Sequence, residues 1–189
     1  ALFNRTLSLD AGDDGDITVN GIVGGGQSLA ALTILNSNDA TFDLAVTVTD
    51  GTGDVLIADT ETGTAVTFTG NLTAGTLTAQ TSDSAYNVVL NGAANTINDA
   101  TVFNNTGSVT LGDANTDVFN FNGGVTATIP TGVTLQGTLN TDDAAADLGA
   151  LTLADTAEIN TVDVSGGAIT IGSITGVGLD LTLVSGDQA

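Results

Sequence analysis

One small unit recurs along this chain: an apolar residue, a threonine, an apolar residue, with glycine close by. Val109-Thr110-Leu111, Val133-Thr134-Leu135, Leu151-Thr152-Leu153 and Ile169-Thr170-Ile171 are four copies. Their first residues lie 24, 18 and 18 positions apart along the numbering. Alternation with a period of two puts flanking apolar residues on one side of a strand and the threonine on the other. The same alternation runs through Leu7-Ser8-Leu9, Ile17-Thr18-Val19, Leu32-Thr33-Ile34, Val55/Ile57, Val66/Phe68, Val88/Leu90 and Phe119/Phe121. Phe42, Leu44, Val46 and Val48 form the longest strict alternation and read as one strand. Asn20-Gly21, Asn91-Gly92 and Asn122-Gly123-Gly124 supply turn signals between the short strands. Pro130, which cannot donate to a ladder, should end the strand that begins at Val125. The stretch 141–149 is rich in Asp and Ala and reads as a loop.

Spacing above the level of single strands separates two all-β architectures. A β-sandwich is the alternative, because its turns also come every ~8–12 residues. Working back from Val109, apolar clusters recur at Val88–Leu90, Val66–Phe68 and Leu44–Val48, roughly 20 residues apart. A period near twenty means stacked units, each burying its inward face on the next. The prediction is a single-domain parallel β-helix, a β-solenoid spanning 1–189 with rungs of roughly 20 residues. The outward threonines would then stack in ladders along the rod. Nothing in the composition marks a linker.

The segments Thr106-Gly107-Ser108-Val109-Thr110-Leu111-Gly112-Asp113 and Phe119-Asn120-Phe121-Asn122-Gly123-Gly124-Val125-Thr126-Ala127, with the rung from Gly149 to Ile171, carry a resemblance. The sequence resembles the β-strand-repeat regions of very large bacterial surface proteins, passengers of autotransporter and filamentous-haemagglutinin type. It is clearest over 104–183. The resemblance implies a secreted right-handed β-helix used in adhesion, surface layers or fibres.

Charge narrows the function classes. The 189 residues carry 22 acidic groups and one basic group, Arg5, for a formal charge of −21. Phosphate contacts need Lys and Arg, so nucleic acid is excluded as a partner, and anionic membrane surfaces are disfavoured. Cys is absent, which removes disulfides and thiolate metal sites. With no His, no Cys and no Lys, neither a Ser-His or Cys-His nucleophile nor a Schiff base can be built. Paired carboxylates of glycosidase type are the one enzymatic arrangement left, and the expectation is that the chain is not an enzyme. No apolar run approaches transmembrane length, so direct membrane insertion is not expected. Ala1 reads as a processed terminus or the start of a fragment. The expected location is extracellular or at a cell surface.

Three kinds of candidate site follow. Asp10, Asp13, Asp14 and Asp16 lie within seven residues with two glycines, a hard-oxygen set suited to calcium. Asp50 with Asp54, and Asp142, Asp143 and Asp147, are sparser versions. Thr47/Thr49, Thr67/Thr69, Thr76/Thr78 and Thr126/Thr128 form Thr-x-Thr pairs of the kind that could bind ice, but they are unevenly spaced. Asn4, Asn71 and Asn104-Asn105 head glycosylation-type triplets that chance also supplies in so Asn- and Thr-rich a chain. Finally, a finite solenoid leaves strand edges open at its ends. Ala1, Leu2, Phe3, Leu7 and Leu9 at one end, and Leu179, Leu181 and Leu183 at the other, are the candidate assembly residues. The expected function is a structural extracellular protein, a filament subunit joined to other copies by β-strand addition. An adhesin segment contacting glycan or a host surface is the alternative.

Overall fold

A computed structural model describes residues 4–186, and within them the chain is all β, with no helix. Nineteen short strands stack in parallel as about eight turns of about 23 residues each, a β-solenoid. The strands sort into three columns running the length of the rod. The first contains Thr6–Asp10, Ala31–Asn36, Asp54–Ile57, Thr76–Ala79, Thr101–Phe103 and Val125–Ala127, then the starts of Ala146–Asn160 and Ile169–Thr175. The second contains Ile17–Val19, Ala40–Phe42, Ala65–Phe68, Asn87–Leu90 and Ser108–Leu111, then parts of Gly132–Asn140, Ala146–Asn160 and Ile169–Thr175. The third begins with a bridge at Val23 and passes through Val46–Val48, Leu72–Ala74, Ala94–Ile97 and Val118–Phe121. It ends on Gly132–Asn140, Ala146–Asn160 and Leu181–Val184.

Most of the strands alternate, and their inward side chains form one continuous core. In the second column Phe42 and Phe68 are buried and lie face to face, ring centroids 4.9 Å apart and 7° from parallel. The outward rank of that column is a ladder: Thr18, Thr41, Thr67, Val89, Thr110, Thr134, Thr152 and Thr175 stand in register. Of the Thr-x-Thr pairs only Thr67 stands in this ladder; Thr47 belongs to the third column, and Thr76, Thr78 and Thr126 belong to the first. Unequal corners absorb the difference in sequence spacing.

The same unequal corners alter two of the expectations. Leu151 pairs with Ile174, so Ile169-Thr170-Ile171 lies in the first column, under Ala146-Asp147-Leu148. The last of the four repeats therefore sits on a different face, and the rung there is 23 residues, the distance from 151 to 174, rather than 18. Nor is 42–48 one strand. Ala40–Phe42 and Val46–Val48 belong to different columns, and Leu44 is 47% exposed at the corner between them. Gly70 of the following turn packs on that corner, where a Cβ would lie 2.3 Å from the Leu44 carbonyl carbon. Pro130 does lie beyond the end of its strand, Val125–Ala127. The 141–149 stretch is loop only as far as its corner, because Ala146–Asn160 is strand.

Two buried polar side chains are tied to backbone. Asn95, fully buried, accepts from Leu72 N–H at 2.9 Å and donates to the Gly92 carbonyl at 2.6 Å. Tyr86 is buried and donates to the Gln80 carbonyl at 2.7 Å. Burial, and the nearby Asp59 carboxylate after it, push the Tyr86 phenol well above its ordinary range.

Candidate functional site

Acidic and amide side chains at the corners bond mainly to the turn above or below. Asp13 accepts from the Asn36 amide, and Asp16 accepts from the Asn38 side chain at 2.9 Å and from Asp39 N–H at 3.3 Å. Asp39 in turn accepts from Ala65 N–H at 2.8 Å, and Asp54 from the Thr76 hydroxyl at 2.8 Å. Asn71 reaches Ala94 N–H at 3.1 Å and Asn87 reaches Ser108 N–H at 2.8 Å. Each bond spans one rung, 21–26 residues. Asp is abundant at the corners because its short acceptor reaches a backbone N–H of the adjacent turn without extending the loop.

This accounts for much of the N-terminal acidic loop. Asp10, Asp13, Asp14 and Asp16 are exposed at the corner between the first and second columns. Asp10 caps its own turn through Gly12 N–H at 3.1 Å. Asp50 and Asp54 flank a tight turn, and Asp54 also accepts from Thr52 at 2.7 Å. Asp147 sits within a strand between Thr126 and Thr170, so it stands apart from the corner that holds its sequence neighbours Asp142 and Asp143.

Among the described residues, three carboxylates converge elsewhere. Asp142, Asp143 and Asp163 bring oxygens within 4.8 Å of one another at the corner between the third and first columns. Asp142 and Asp143 belong to one turn and Asp163 to the next. Sequence reasoning found the first two and missed Asp163. Its signal was a rung offset, visible only once the rung length at that corner is known.

The two aspartates of the pair 142–143 are held oppositely. Asp143 has a left-handed backbone, φ 56°, and its carboxylate sits in a ring of successive N–H groups. Asp163 donates at 3.0 Å, Val164 at 2.9 Å, Ser165 at 2.8 Å and Gly166 at 2.6 Å. These bonds, that from Gly166 first, hold the Asp143 carboxyl far below its ordinary range. Asp142 is raised, chiefly by the neighbouring Asp163 charge. A lowered carboxylate supports the fold above its unfolded pKa of about 3.9, and that support is lost as pH falls through the folded value. Asp142 acts in the opposite sense: proton binding at that same acid end relieves its repulsion with Asp163. Asp163→Asn is therefore expected to move the Asp142 titration down toward the ordinary value while leaving Asp143 low. Carbon-13 carboxyl shifts followed against pH check this, and an Asp142 titration that does not move would contradict the assignment.

No protein-family model, no curated protein and no solved structure matches this chain. The site must be read from its own chemistry. Asp143 is occupied by backbone N–H groups, while the exposed Asp142 and Asp163 carboxylates remain available to a hard cation. Both also line an open recess of about 390 Å³, together with Asn120, Asn122, Asn140, Thr141, Asn160 and Val162. Asn120, Asn140 and Asn160 stand in register, with the Asn140 amide donating to Asn120 at 3.0 Å.

Those of the candidate assembly residues that the structure describes occupy the first and last described turns. Ala1, Leu2 and Phe3 lie outside the described residues. Leu7 and Leu9 are half-buried in the first turn, Leu179 and Leu181 likewise in the last, and Leu183 is 49% exposed. Among the described residues no helix is long and apolar enough to cross a membrane.

Proposed function

We propose that this chain is a structural rod of an extracellular or cell-surface filament, its copies joined end to end by β-strand addition. The observation that carries the reading is the uncovered lining of the last turn. Ile174 is 51% exposed and Leu183 is 49% exposed, whereas their register partners one turn in, Leu151 and Ile159, are buried. Each turn of a solenoid seals the one before it, so an end turn with an apolar lining and unpaired strand edges has affinity for another such turn. The flanks carry the opposite design. A formal charge of −21 repels rods side to side and leaves the ends as the adhesive surfaces. Divalent cations would relax that repulsion.

Eight turns at a strand spacing of about 4.8 Å make a subunit about 40 Å long. Negative-stain electron microscopy of concentrated protein, with and without millimolar calcium, is expected to show unbranched filaments with that axial repeat. Light scattering coupled to size exclusion that reports only monomer in both conditions would overturn the reading.

The polar recess beside Asn120, Asn140 and Asn160 supports a second reading, an adhesin segment that binds glycan. There, glycan-array binding that disappears in Asn140→Ala, without assembly, is the distinguishing result.

A further inference from the structure

Buried polar atoms without a partner gather at one corner of the rod. Among the described residues, Ser37 Oγ, Asp59 Oδ1, Thr60 Oγ1 and Asn105 Oδ1 are enclosed with no hydrogen bond. All four belong to the corner between the first and second columns, in successive turns. Ser37, Thr60 and Asn105 are fully buried. We infer that this corner is an internal water site, in which ordered water bridges Ser37 Oγ, Thr60 Oγ1 and Asp59 Oδ1 between neighbouring turns. The site is independent of the filament reading.

Hydrogen bonds between turns place the groups. Ile34 pairs with Ile57, and Ala58 N–H donates to the Ile34 carbonyl at 2.9 Å. Three residues further on, Glu61 N–H donates to the Ser37 carbonyl at 3.0 Å. The register is unbroken between these two bonds, so Ser37 lies under Thr60 at a strand spacing of about 4.8 Å. Full burial turns both hydroxyls to the inside of the corner. Tyr86 enters from the next turn, its hydroxyl 2.7 Å from the Gln80 carbonyl and 3.3 Å from that of Ile57. Burial first, and then the Asp59 charge, raise this phenol, so the Asp59 carboxylate stands near it. Asn105 closes the corner above by donating to the Tyr86 carbonyl at 3.0 Å.

Donors and acceptors select water over a metal ion. Each hydroxyl has one proton to give, and a carboxylate oxygen only accepts. One water that accepts from Ser37 and Thr60 and donates to Asp59 satisfies all three atoms. That makes about three bonds, the ordinary number for a buried water. A hard cation takes lone pairs alone and would leave both hydroxyl protons without an acceptor. A dry corner would enclose three polar atoms, each at a cost to the fold.

Corner length explains why the site lies here. Between Ala31–Asn36 and Ala40–Phe42 the corner is only 37–39. In the next two turns it is 58–64 and 80–86. A long corner over a short one cannot stack residue for residue throughout. Apolar side chains need matched turns to close-pack, whereas hydroxyls joined by water tolerate the mismatch.

Two measurements on the full chain test the site. A crystal structure at atomic resolution is expected to show water within hydrogen-bond distance of Ser37 Oγ, Thr60 Oγ1 and Asp59 Oδ1, and a dry corner there would overturn the inference. Thr60→Val removes the hydroxyl at nearly constant shape, so the sign of its effect decides between the cases. A bridged hydroxyl makes Thr60→Val melt roughly 2–4 °C below the parent chain. A melting temperature equal to the parent's or above it would mean that the hydroxyl has no partner, and the water site would fall. Thr67→Val, on the outward ladder, is the control and is expected to leave melting nearly unchanged. The same melts run in millimolar calcium and in chelator read the rival ligand. A rise with calcium that the parent shows and Thr60→Val lacks would put a cation in the corner and overturn water.

Discussion

Phe68→Ala is expected to lower the stability of the rod by about 3–5 kcal/mol, the cost of emptying a fully buried aromatic site that its surroundings cannot refill. Phe68 is fully buried and pairs in register with Phe42 on one side and Leu90 on the other. Its ring is stacked on that of Phe42. Neighbouring turns are held apart by strand hydrogen bonds at a fixed spacing, so they cannot close over the void. A solenoid contacts only its nearest turns, so the loss concentrates around one rung and splits the rod into two weaker halves. Urea unfolding followed by circular dichroism would read this as a lower midpoint and a broader transition. Thr67→Ala, one residue away on the outward ladder, is expected to cost under about 1 kcal/mol. Equal losses at the two positions would mean that the lining is not a packed core.

Gly75→Ala comes next, at about 3 kcal/mol, for want of space and not of conformational freedom. Gly75 is the single residue that turns the chain from Leu72–Ala74 into Thr76–Ala79. A Cβ there would lie 1.8 Å from the Thr52 carbonyl oxygen of the preceding turn. The backbone cannot retreat, because Gly75 N–H already donates to the Gly53 carbonyl at 2.8 Å. Gly63 is the control. Its φ is +83° with open space around it, so Gly63→Ala meets only the left-handed backbone penalty of about 1–2 kcal/mol. Thermal melts of both variants test the ranking. A Gly75→Ala protein as stable as Gly63→Ala would show that this corner has slack.

Much of this was legible in the chain itself. Alternation at Val66/Phe68 and Val109/Leu111 named inward residues correctly, because a period of two is a local property of strand geometry. Where the period was carried across corners it slipped. Leu44 reads as the second inward residue of a long strand, yet it sits outside, because nothing in Asp43-Leu44-Ala45 says that the chain turns there. The cause is Gly70, one rung on, whose missing side chain lets that corner close. Ile169-Thr170-Ile171 falls on another face for a similar reason: the corner 161–168 before it is longer than the corresponding corner 141–145 one turn earlier, and a count of residues does not distinguish corner from strand. The convergence of carboxylates was half legible. Asp142 and Asp143 are adjacent in sequence, but Asp163 joins them through the stacking of turns, and Asp147 leaves them by entering a strand.

The sequence alone determined that the chain is β throughout, that its turns stack, and which residues line the stack. Those properties follow from side-chain chemistry repeated at short range. Tertiary structure alone decided the three columns, the threonine ladder of the second column and the meeting of Asp142 with Asp163. All three depend on the register between turns. That register is set by corner lengths and by hydrogen bonds reaching about 23 residues along the chain, beyond the range of any local pattern.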